Sequence, residues 1–84
     1  MTFIPVGTTH RVWLREISEQ TFDDQGLDSL GSDFGLFVAI ENIADGTLTV
    51  LGKAPDQQRG ETLIALVARG LARSVERPKF YEVT

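Results

Sequence analysis

Hydrophobic and polar positions alternate through the middle of the chain and then change period. "FGLFVAIEN" (34–42) and "DGTLTVLGK" (45–53) are two apolar, β-prone runs meeting at Asp45-Gly46. Runs of this kind separated by a turn dipeptide predict a β-hairpin. In the first run Phe34, Leu36, Val38 and Ile40 form one alternating set, and Phe37 and Ala39 the other. Both sets are apolar, so this strand needs cover on both faces of its sheet or the surface of another subunit. The second run sets Leu48, Val50 and Gly52 against Thr47, Thr49 and Leu51, the pattern of a half-exposed strand.

After Pro55 the period becomes 3.6. Leu63, Ile64, Leu66, Val67, Leu71 and Val75 recur at three and four, which predicts a helix over residues 56–75 with a broad apolar stripe. Pro55 and Asp56 suit its start and Pro78 ends it. Gly60 and Gly70 each cost about 1 kcal/mol against Ala in a helix interior, so they point to close packing against the sheet or another helix. Upstream, the rough alternation from Thr8 to Ile17 predicts a strand with Val12 and Leu14 on one face and Arg11, Trp13, Arg15 and Ile17 on the other. A short helix competes there, because Trp13 and Ile17 are also four apart. Ser18 to Asp33, "SEQTFDDQGLDSLGSD", reads as a long loop with a helical turn around "DDQGLDSL", anchored only by Phe22, Leu27 and Leu30. "KFYEV" (79–83) predicts a last short strand.

These elements make an α+β domain, a small antiparallel sheet of three to four strands with the 56–75 helix packed on one face. Eighty-four residues make one domain over 1–84, and a domain of this size buries only about 60–65% of its unfolded surface, which favours self-association. Without Cys there is no disulfide, thiolate metal site or thiol nucleophile. The first residues carry no basic leader with an apolar run, and no stretch reaches membrane-span length, so a cytoplasmic location is expected.

Net charge is −4, with −6 over residues 1–46 and +2 over 47–84. The acidic half argues against binding phosphate backbones over the whole sheet and leaves room for a local basic patch. Arg69, Arg73 and Arg77 at i, i+4 and i+8, followed by Lys79, form such a ridge. Its guanidinium forks suit phosphates, RNA or an acidic partner, although cations at a helix C-terminus also complement the backbone dipole. Arg11, Trp13 and Arg15 on one strand face offer a contact platform for bases or a protein; alternatively the only Trp packs near the core with arginine stems covering it.

Counting a calcium loop from Glu41 puts Ile43 at the third ligand position and Gly52 at the twelfth, so Asp45 and Gly46 read as turn residues and no metal is expected. His10 has no second imidazole, the serines lack a nucleophile setting, and Asp23, Asp24, Asp28 and Asp33 read as a solvated loop. The expectation is a non-catalytic protein-binding or regulatory module, a homodimer, with no cofactor. Nucleic-acid binding through the arginine ridge, or mimicry of nucleic acid by the acidic half toward a basic partner, are the alternatives. An enzyme would have to use His10 or the Asp23/Asp24 pair at a subunit interface.

Overall fold

The computed structural model describes residues 1–72 and 81–83. Along the chain run β1 (Thr2–Val6), β2 (His10–Arg15), α1 (Glu19–Asp24), a 3₁₀ turn (Asp28–Leu30), β3 (Leu36–Asn42), β4 (Leu48–Ala54), α2 (Gln57–Ala72) and β5 (Tyr81–Glu82). The sheet order is β4-β3-β2-β1-β5, and every pairing is antiparallel. Four strands of five to seven residues, with α2 across one face, form the α+β architecture that the periodicity predicts; β5 adds a two-residue edge. No helix of the described residues is long and apolar enough to cross a membrane.

The register divides the side chains of β1, β2 and β3 between the two faces of the sheet. Ile4, Val12, Leu14, Val38 and Ala54 meet Ile64 and Ala68 of α2 in one core cluster. Asp56 caps α2, its Oδ1 accepting from the Arg59 N–H at 2.8 Å. Gln57 fastens the first turn to β1, where its Nε2 donates to the buried Thr2 Oγ1 at 3.1 Å. Gly60 is the point of closest approach. A Cβ there would lie 2.5 Å and 2.6 Å from Leu14 Cδ1 and Cδ2 and 3.1 Å from Ala54 Cβ. The close packing anticipated at Gly60 is therefore real, whereas a Cβ at Gly70 would meet nothing within 4 Å.

The opposite face holds a second cluster, Phe22, Phe37, Ala39 and Val50, with Ile17, Leu27, Leu30 and Leu48 against it. Its cover is the segment expected as a loop. Ser18 caps α1 by accepting from the Thr21 N–H, and α1 drops Phe22 edge-to-face onto Phe37, with ring centroids 6.3 Å apart. The two-sided apolar strand is thus satisfied within one chain: α2 covers one side of β3, and α1 with the 3₁₀ turn covers the other. A helix does form in this segment, but mostly earlier than the stretch "DDQGLDSL"; Gly26, at φ +63, lies between the two short helices.

Other expectations needed adjustment. β1 escaped the periodicity because Pro5 and Gly7 interrupt it, yet it pairs with β2 from Thr2↔Leu14 to Val6↔His10. Phe34 lies before β3 and is 80% exposed, so it does not share the face of Leu36 and Val38. In β4 a bulge intervenes: Val38 pairs with Gly52 but Ala39 with Val50, which leaves Leu51 as the extra residue. Leu48 and Val50 consequently line the Phe37 face while Ala54 joins the α2 core, so strict alternation fails beyond Val50. Finally, the buried stripe of α2 is Gly60, Ile64 and Ala68, and Leu63, Leu66 and Leu71 of the expected stripe are exposed.

Candidate functional site

β2 carries Arg11, Trp13 and Arg15 on the face away from α2, as its alternation requires, and the register sets Trp13 between Phe3 of β1 and Ala39 of β3. The small Ala39 gives the indole room, and the Phe3 ring lies against it with centroids 4.7 Å apart and planes tilted by 37°. The guanidinium of Arg15 lies 5.2 Å from the Trp13 ring centroid, and that of Arg11 lies 5.5 Å from the centroid of Phe3. These are cation–π distances.

Glu41, from β3, ties the cluster together. Its Oε1 accepts from Trp13 Nε1 at 2.9 Å and from Arg11 Nη1 at 3.2 Å. The indole N–H is thereby satisfied, and the Arg11 charge is matched by a carboxylate. Trp13 itself is 8% exposed. The arrangement therefore matches the core-packed alternative, with Arg15 lying over the indole and Arg11 over the neighbouring Phe3, and the accessible chemistry consists of Arg11 and Arg15. Arg15 meets no carboxylate among the described pairs; its Nε donates to the Glu16 carbonyl at 3.2 Å.

The remaining candidates are scattered. Arg69 is exposed in the last described turn of α2, and Arg73, Arg77 and Lys79 lie outside the described residues, so the ridge is placed only through Arg69. His10 Nδ1 lies 2.8 Å from Thr9 Oγ1, at the far end of β2. Asp45 is used within its own turn: Oδ1 accepts from the Thr47 N–H at 2.9 Å and the Thr47 hydroxyl at 2.7 Å. Gly46 adopts φ +74 and donates to the Asn42 carbonyl, which closes the hairpin. The Thr47 backbone and hydroxyl bonds hold the Asp45 carboxyl below the ordinary value of 3.8. Bonding of this kind stabilises the turn above the unfolded pKa and is lost as pH falls through the depressed one. Among the described residues no three His, Asp or Glu groups converge as a metal site.

Reasoning from sequence missed two features. The first is Glu41, counted only as a possible metal ligand; its place across from Arg11 follows once the β2–β3 register is known. The second is the outer stripe of α2. Leu63, 38% exposed, and Leu66, 58% exposed, continue to Gly70 at i, i+3 and i+7. On one flank of the buried stripe Gln57, which also bonds Glu61, reaches Thr2 of β1, and a Cβ at Gly60 would lie 3.1 Å from Ala54 Cβ of β4. Leu63 consequently falls on the β4 flank of the helix, and Leu66 close to its solvent pole.

No protein-family model, curated protein or solved structure matches this chain.

Proposed function

We propose that the chain is a non-catalytic binding module that works through protein–protein contact and pairs with a second copy of itself. The observation that carries this reading is the solvent-facing apolar stripe of α2. The sheet uses one line of the helix, Gly60, Ile64 and Ala68, and the exposed Leu63 and Leu66 are left over. Leu63, Leu66 and Gly70 follow the three-and-four spacing of a helix-helix seam. The open space beside Gly70 lets a second backbone approach closely. A small domain gains more than a large one from such pairing, because its own core buries a smaller share of its surface. The inward-facing Trp13 cluster supports the same reading by spending its indole on the chain's own packing.

The test is molar mass by size-exclusion chromatography with light scattering over a wide concentration range. The wild type is expected to rise above the 9.3 kDa monomer as concentration increases. Leu66→Glu, at an exposed helix position, should return it to monomer with the helical circular dichroism unchanged. A wild-type mass of 9.3 kDa throughout the range overturns self-association.

A further inference from the structure

β4 is an edge strand, and two of its outward-facing backbone groups are occupied by one side chain. Asn42 N–H donates to the Thr47 carbonyl at 2.9 Å, which fixes the phase of the β3–β4 ladder. Antiparallel alternation then turns the backbone groups of Thr49 toward Ile40 and those of Leu48 and Val50 away from β3, to the open edge. There the primary amide of Gln25 takes one group of each residue: Nε2 donates to the Leu48 carbonyl at 2.7 Å, and Oε1 accepts from the Val50 N–H at 2.8 Å. One amide thus supplies the edge with a donor and an acceptor, the two kinds of group that a neighbouring strand would bring. Gln25 is the C-cap residue of α1, so the segment that covers Phe37 also brings this amide to the edge. Farther along β4, past the bulge at Leu51, Lys53 Nζ donates to the carbonyl and hydroxyl of Ser32 at 3.1 and 3.2 Å.

We propose that the outer edge of β4 around Thr49 is a strand-pairing surface for a second copy of this chain, and that Gln25 is the stopper that holds it closed. The occupant follows from the atoms. A two-fold axis through Thr49 sets two β4 strands antiparallel with Leu48 opposite Val50, and the Val50 N–H of each copy then donates to the Leu48 carbonyl of the other. Those are the two groups that Gln25 holds. Thr49 is exposed and would face its own counterpart across the axis. The bulge and the Lys53–Ser32 contact limit the surface to the first half of the strand, as natural edges often are limited. The surface is separate from the α2 stripe, and neither proposal needs the other.

The experiment compares wild type, Gln25→Ala and Gln25→Ala/Thr49→Lys by light scattering, each alongside amide exchange at Val50. In the wild type the Val50 amide is expected to be protected. Gln25→Ala should reach about twice the wild-type mass at a concentration where the wild type does not change, since an isologous contact doubles the particle. Thr49→Lys, which opposes two ammonium groups across the axis, should return the wild-type mass. Because the comparison is with the wild type, it reads the β4 edge whether or not α2 self-associates. If Gln25→Ala does not fold, Gln25→Met takes its place, keeping the side-chain length and losing both hydrogen bonds to β4. A folded Gln25 variant of unchanged mass overturns the proposal, and so does a wild-type Val50 amide that exchanges as fast as an open one.

Discussion

The two faces of one sheet are closed by opposite strategies. On one, a single helix of 16 residues lies close enough that Leu14 and Ala54 occupy the space a side chain at position 60 would need. On the other, half the surface is covered by a six-residue helix and a three-residue turn, fastened by Gln25 and Ser32 to β4. The rest is finished by the strands themselves, with Phe3 of β1, Trp13 and two arginines of β2, and Glu41 of β3. The first face depends on steric fit along one long element. The second depends on aromatic side chains and hydrogen bonds from elements too short to be stable as isolated helices.

The contrast can be broken by showing that the second face is not a true core. Phe37 is fully buried beneath Phe22, and Phe37→Ala should cost about 3–5 kcal/mol in urea unfolding, as much as a truncation on the helix side. A loss below about 1 kcal/mol, the scale of a surface change, would reduce α1 to a loosely held cover. The next largest effect tests the fit of the first face. Gly60→Ala should destabilise by about 1–3 kcal/mol through crowding of Leu14, outweighing its better helix propensity. Gly70→Ala has open space and should stabilise by about 0.4–1 kcal/mol. Equal signs for the two would mean that α2 is not seated on Leu14. The smallest effect separates charge from hydrogen bonding at Glu41. Glu41→Gln keeps an acceptor for Trp13 and gives up only the partly exposed pair with Arg11, a loss of about 1 kcal/mol or less. Tryptophan emission should hold its wavelength in this variant and shift to the red in Glu41→Ala.

The face built on one long element was the one legible in the chain. Apolar spacing after Pro55 and the alternation at Leu36 and Val38 led to a helix packed on one face of an antiparallel sheet, although among the described residues of the expected stripe only Ile64 is buried. The hairpin was legible because Asp45-Gly46 announces its turn. β1 was not, since five residues interrupted by Pro5 resemble a loop until their partners in β2 are known. Phe22, Leu27 and Leu30 could be named as anchors of the 18–33 segment, but three residues without a shared period do not reveal which surface they cover. Leu66 was misjudged for a related reason: a stripe of six apolar residues is wider than the sheet can use, and helical spacing does not say which edge of it remains in water. The Arg11, Trp13, Arg15 alternation was readable, whereas the inward seating of Trp13 depended on Phe3, Ala39 and Glu41 on two other strands.

The strand order has a kinetic consequence. Except for β1 with β5, every pairing joins strands consecutive in the chain, and contacts between near neighbours form with little loop-closure entropy. The β3–β4 hairpin closes across its short turn and is the natural first event. β2 can join it only after residues 16–35 are closed into a loop, so the burial of Phe22 on Phe37 and the capture of the edge by Gln25 fall late in assembly. Until then the backbone groups of Leu48 and Val50 have no stopper, and the folding chain passes through a window in which its edge is exposed to other chains.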